Sequence, residues 1–185
     1  MAAWSLFCGQ RDTTTYPAVV CQHPEMPHAE AEVRATLDRY VACRAAIEAG
    51  DKTWIDLAEF FTDDAVYIDP AWGRVTGIEA IREFFVESMT GLEDWRFPIL
   101  FTAVEGDDVV TVWRQVLPGQ RDDGRAYEQT GVSLLRYAGD GRFDFEEDLL
   151  NMAHVLEDLA SSGWRPGAGF NPPPPKPDRD VARPG

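Results

Sequence analysis

Four strand-like runs in close succession constrain this chain more than any other feature. They cover residues 97–105, 109–117, 126–137 and 142–148. Only turn-forming segments separate them: Gly106-Asp107-Asp108, the polar loop 118–124, and residues 138–141. Hairpins of this kind build an antiparallel sheet. Before them come helical patterns. Residues 29–49 carry Val33, Leu37, Tyr40, Val41 and Arg44 on one stripe, with Glu30 and Glu32 in the first turn, where the helix dipole favours acids. Gly50-Asp51 stops that helix and starts a short one reaching Phe61, with Trp54, Leu57 and Ala58 inward. A third spans 78–89, and Thr76-Gly77-Ile78-Glu79 reads as its capping box. Helices followed by a run of strands is an α+β order.

Between the second and third helices lies Phe60-Phe61-Thr62-Asp63-Asp64-Ala65-Val66-Tyr67-Ile68-Asp69-Pro70. Residues 65–69 alternate, so Tyr67 and Asp69 share one face and Val66 and Ile68 the other. Pro70 cannot donate to a ladder and ends the strand. Asp69 therefore stands at a strand end, beside a loop containing Trp72 and Gly73.

The pattern F-x-D-D-A-x-x-x-D-P followed by G-x-x-A-I-x-x-F-F resembles the nuclear transport factor 2-like superfamily. That superfamily includes SnoaL-like polyketide cyclases, ketosteroid isomerases and limonene epoxide hydrolases, and the isomerase branch is the nearest in pattern. The resemblance covers roughly residues 33–163. It implies a cone-shaped α+β barrel, in which a curved antiparallel sheet wraps around the N-terminal helices and leaves an open mouth. It also implies a homodimer through the outer face of the sheet.

By the same resemblance, Asp69 would be the general base, and burial in an apolar cone would raise its pKa toward a working value. The plainer reading is an Asp that caps the loop before Pro70. Tyr40 matches the isomerase Tyr that donates to the developing oxyanion, although its spacing to Asp69 is longer by about one helical turn plus two residues; a core Tyr is the other reading. Tyr67, on the face of Asp69, is a second possible donor. The isomerases' protonated Asp falls on Ser133, a departure that counts against steroid isomerisation itself. Arg114 and Asp148 match part of the epoxide hydrolase triad, whose remaining Asp position holds Val116. The two could equally form a buried ion pair between strands. Strand parity puts Tyr127, Gln129 and Ser133 on one face and Glu128 on the other. Gln129 and Ser133 are thus candidate substrate contacts with Tyr67, and Trp72 is placed at the mouth. His154 lacks the partners a metal site needs, and no metal is expected.

The remaining segments frame this domain, which the patterns place at 28–163. Residues 1–27 hold no sustained periodicity and read as an irregular arm. Leu149, Met152, Val155, Leu156 and Leu159 mark a further helix over 149–162 that Gly163 ends. From Trp164 to Gly185 the chain is Pro- and Gly-rich, with Pro172 to Pro175 in a run, and reads as an extended or disordered tail. With 185 residues, one domain is the favoured count. A formal net charge of -15 argues against nucleic acid and anionic membranes, which need a basic face. No apolar run reaches the length of a bilayer span. Cys8, Cys21 and Cys43 form neither a disulfide framework nor a metal spacing, which fits a reducing, cytoplasmic setting.

Two functions stay open on these residues. One is an acid–base enzyme without cofactor, of isomerase, cyclase or hydratase/dehydratase type, acting on an apolar steroid- or polyketide-like small molecule. The other is a ligand- or partner-binding module of the same fold. A weaker third is a scaffold that recruits a protein through the Pro-rich tail.

Overall fold

The sheet has six strands, and its order follows from one pairing that hairpins alone do not supply. A computed structural model describes residues 27–184; the irregular arm proposed for 1–27 lies almost wholly outside the described residues. Helix α1 (Glu30–Ala49) leads into a 3-10 helix (Trp54–Phe60), strand β1 (Phe61–Asp69), strand β2 (Gly73–Thr76) and helix α2 (Ile78–Glu87). Strands β3 (Ile99–Glu105), β4 (Asp108–Gln120), β5 (Ala126–Gly139) and β6 (Arg142–Leu150) follow, then helix α3 (Met152–Ser162). The sheet order is β2-β1-β6-β5-β4-β3. All neighbours are antiparallel except β1 and β6, which run parallel, so the sheet is mixed where hairpins alone suggested a purely antiparallel one.

The sheet curves around α1 without closing and makes the cone. The α1 stripe of Val33, Leu37, Tyr40 and Arg44 is buried, as its spacing requires. Phe61, Phe85 and Phe143 meet inside it, with ring centroids 5.9 and 6.5 Å apart, and each buried ring contributes about 1.5–3 kcal/mol. Two local expectations are corrected. The segment 73–76 is not loop but a short edge strand, with Thr76 opposite Val66. Thr76 is thereby committed to the ladder, and Gly77, at φ 87°, is the N-cap of α2 without a side-chain cap. The capping box forms instead at Thr53 and Asp56, ahead of the 3-10 helix.

Strand β6 carries a bulge. Arg136 pairs with Phe145 and Tyr137 with Phe143, so β6 has one extra residue there. Asp144 turns outward to accept from Arg136 at 2.9 and 2.7 Å. Phe143 then joins the inner core and Phe145 packs with Val66 and Ile68 on the outer side. Beyond the bulge Glu146 and Asp148 face inward, bonded to the inner-face hydroxyls of Tyr40 and Ser133.

Residues 164–184 contain no helix or strand, as their composition predicts, but they are strapped to the cone. Gly167 N–H donates to the Gly91 carbonyl at 2.9 Å, and Trp164 Nε1 donates to Asp94. Farther on, the Asp178 carbonyl accepts the Arg74 N–H at 3.0 Å along the open side of β2. Gly73 makes this approach possible: its φ is 81°, and a Cβ there would collide with the Asp178 carbonyl. Arg183 lies over the Phe145 ring and donates to Asp108. The chain's own tail thus occupies part of the outer face expected to receive a second subunit.

Candidate active site

The cone encloses a cavity of about 320 Å³, within the range of small-molecule sites. Its walls are largely aromatic: Trp54, Tyr67, Trp72, Phe84, Phe97 and Trp113 all contribute. The strap completes it, with Trp164, Phe170, Asn171 and Pro173 in the lining.

Asp69 stands in this wall at the end of β1. Its Oδ1 accepts the backbone N–H groups of Ala71 and Trp72, both at 2.7 Å. It therefore does cap the loop after Pro70, and Oδ2 has no hydrogen-bond partner among the described residues. Burial pushes this carboxyl from 3.8 up to about 6; the two N–H bonds pull the other way, and Asp148 adds to the rise. A carboxylate near 6 is a usable base at neutral pH.

Asp148, on β6, lines the same cavity. Its Oδ2 accepts the Tyr67 hydroxyl at 2.6 Å and its Oδ1 the Ser133 hydroxyl at 2.5 Å. Ser133 in turn accepts from Trp113 Nε1 at 3.0 Å. Burial raises the Asp148 carboxyl, against the pull of these two hydroxyls. Burial also pushes the Tyr67 hydroxyl well above its ordinary value, and the carboxyls of Asp148 and Glu146 add to that.

Behind this pair sits Glu146, which has no solvent exposure at all. It accepts the Tyr40 hydroxyl at 3.1 and 3.2 Å, with the Tyr67 hydroxyl 3.4 Å away. Burial, and then the charge of Asp148, push it up to about 8. This favours the protonated form of Glu146, and a chain of hydroxyls and carboxyls runs from α1 across β1 to β6 and β5.

Of the residues singled out by sequence, Tyr67, Asp69, Trp72 and Asp148 come together on one cavity. Tyr40 reaches the network from behind through Glu146 and is not in the lining. Ser133 is likewise one step removed, turned to Asp148. Gln129 shares the inward face but is spent on Asp158 of α3, at 2.7 Å. The pairing of Arg114 with Asp148 does not form. The ladder places Ser133 opposite both Thr111 and Asp148, so Thr111 shares their face and Arg114 takes the outer one. There Arg114 meets Thr130 and, at 3.9 Å, Glu128.

Three wall or network residues escaped the sequence reading: Glu146, Arg44 and Gln115. Glu146 has the parity of Asp148, which was the available signal. Arg44 was visible as one position of the α1 stripe. Gln115 follows Trp113 at the next inward position of β4. Among the described residues, no group of three or more His, Cys, Asp or Glu is placed to hold a metal ion. No helix among them is long and apolar enough to cross a membrane.

A cone of helices and curved sheet around a small-molecule cavity is the nuclear transport factor 2-like fold. The SnoaL-like domain model matches residues 37–144, more than half of the chain, and the protein belongs to that family. Solved structures agree on the fold. A protein described as a SnoaL-like polyketide cyclase from Jannaschia sp. CCS1 is 21% identical with a TM-score of 0.56, covering 76% of this chain and 99% of its own. Another so described, from Shewanella putrefaciens CN-32, is 19% identical with a TM-score of 0.54, covering 75% of this chain and 90% of its own. TerC, co-crystallised with polyporic acid, is 19% identical with a TM-score of 0.52, covering 68% of this chain and 98% of its own. No curated protein matches the chain at a significant level.

Proposed function

We propose that this protein is an acid–base enzyme acting on an apolar, ring-bearing carbonyl compound, with Asp69 as general base and no cofactor. The observation that carries the reading is Asp69 itself: a carboxyl raised to about 6, with Oδ2 unpartnered among the described residues, in the wall of an aromatic cavity. Asp69 would take a proton from a carbon next to the carbonyl. The carbonyl oxygen would gain charge as the enolate forms, and the Tyr67 hydroxyl, turning from Asp148, would donate a hydrogen bond to it. Returning the proton to another carbon gives isomerisation; attack of the enolate carbon on a second carbonyl of the same molecule, with the proton passing from Asp69 to the new alkoxide oxygen, gives cyclisation. Tyr40 would act at one remove, through Glu146. The subunit would pair with a second copy through the part of the outer sheet face that the tail leaves open, around Arg114 and Glu128.

The test is turnover of a β,γ-unsaturated ketosteroid, followed by ultraviolet absorbance as the product becomes conjugated. Loss of a general base lowers the rate by about 10²–10⁴-fold, so Asp69→Asn should fall by that much. Tyr67→Phe should lower turnover by a smaller factor. Turnover that does not depend on Asp69 refutes the base. A second reading, ligand binding without turnover, is favoured by one observation: the Tyr67 hydroxyl is already committed to Asp148 at 2.6 Å. A steroid that raises the melting temperature without being turned over would select it.

A further inference from the structure

Arg44 is a buried cation with no carboxylate in direct contact among the described residues. It is 6% exposed and lines the cavity. Among the described residues no carboxylate lies within 4.0 Å of it. The nearby inner-face acids Glu146 and Asp148 are bonded to Tyr40, Tyr67 and Ser133 instead. Its guanidinium can donate five hydrogen bonds. Among the described residues Nη2 donates to the Phe97 carbonyl at 3.2 Å, and the Tyr40 hydroxyl lies beside the guanidinium. Nε is buried with no partner. The Trp54 ring lies under it, 5.0 Å from the guanidinium carbon, which favours a cation there but accepts no hydrogen bond from it in the plane.

Two more donors on the same cavity wall are in the same condition. Gln115 Nε2 and Trp95 Nε1 are buried and unpartnered. These groups are neighbours, because Phe97 packs against Trp54, Trp113 and Trp95 at 5.4, 5.9 and 6.3 Å. Leaving buried donors unmatched costs about 1–3 kcal/mol each, and more for a charged group. An arginine whose only task were to tie α1 to residue 97 would need one bond and no burial of its charge in a ligand cavity. Asp69 lines the same cavity beside Trp72, which packs on Phe84 at 5.9 Å.

We infer that Arg44 binds an anionic oxygen of the substrate, a carboxylate or an ionised enolic or phenolic hydroxyl, and that Gln115 and Trp95 offer further donors to the same group. Resting on the reading of the cavity as the substrate site, this orients the ligand. Its anionic end lies on Arg44, and its ring body fills the aromatic middle. The reacting carbon is then presented to Asp69. A guanidinium fork suits a carboxylate's two oxygens, which is why Arg rather than Lys stands there.

The test compares two probes with the same ring, 2-naphthoate and uncharged 2-naphthylmethanol, binding to the full-length protein at pH 7 by quenching of tryptophan fluorescence. The anion should bind about tenfold tighter or more. Arg44→Met should erase that preference while the circular dichroism spectrum stays native, and Arg44→Lys should restore part of it. Asp69→Asn should keep the preference, so this readout is separate from turnover. A wild-type protein that binds both probes alike, or neither, overturns the inference; so does a folded Arg44→Met that still prefers the anion. Should Arg44→Met not fold, the wild-type comparison and Arg44→Lys decide it. Asp69-dependent turnover without an anion preference would sink this inference and leave the base in place.

Discussion

Replacing Asp69 by Asn should make the protein's stability less sensitive to pH, by an amount the site fixes. The carboxyl sits at about 6 in the folded chain against an ordinary 3.8. A carboxyl held above its ordinary value stabilises the fold while it is protonated. That contribution begins to fall as pH passes the unfolded value and is gone once pH exceeds the folded one. At pH 5 most of the folded molecules still hold this proton and most unfolded ones have lost it, a difference worth about 1.4 kcal/mol; at pH 8 it is close to zero. Asn cannot titrate and keeps an oxygen for the Ala71 and Trp72 N–H groups, so its own offset is nearly the same at both pH values. Urea unfolding of both proteins at pH 5 and pH 8 isolates the term. Wild type should lose about 1.4 kcal/mol more than Asp69→Asn between the two, or about 3–6 °C in melting temperature for a chain of this size. Parallel losses in the two proteins would show that Asp69 titrates normally, and the case for a raised base would fall with it.

Other perturbations test neighbouring parts of the cone. Gly131→Ala would drive a Cβ into the Trp113 indole; overpacking of this kind costs about 1–3 kcal/mol, readable by urea unfolding, and should loosen the Trp113–Ser133 bond, readable in near-ultraviolet circular dichroism. Glu146→Gln removes a carboxyl raised to about 8, so wild type should lose stability between pH 5 and 8 that the variant keeps, while the Tyr40 hydroxyl retains an acceptor. Gly73→Ala combines a positive φ with a collision at the Asp178 carbonyl; the strap should lift, and limited tryptic cleavage after Arg179 should quicken severalfold while the cone stays folded.

Alternation carried the sequence reading of β1 well, because one face is core and Pro70 fixes the end; Tyr67 and Asp69 fall on the cavity as spacing requires. It carried β6 less well. Phe143 and Phe145 compete with Glu146 and Asp148 for the inner face under strict alternation, and only the bulge at Asp144 lets Phe143 and both acids face in. Arg114 illustrates a different limit. Parity fixes which residues of a strand agree with each other, but the register between strands decides which face they take, and that is set by turns and bulges together. The tail shows a third. Proline and glycine content foretold the absence of helix and strand, yet its attachment depends on Gly73 and Gly91, which are remote in sequence and bear no mark of it.

The strap also changes what the sheet can join. A sheet ordinarily has two edges, and a molecule with both open can add neighbours on each side without limit. Here the β2 edge is blocked where Asp178 takes the Arg74 N–H. At the other end β3 has no further strand among the described residues, and Leu100 and Phe101 on it are half exposed or more. A sheet with a single open edge can meet one like itself and then has nothing left to offer. Assembly by strand addition stops at a pair, so the tail that walls the cavity also bars the route to a fibre.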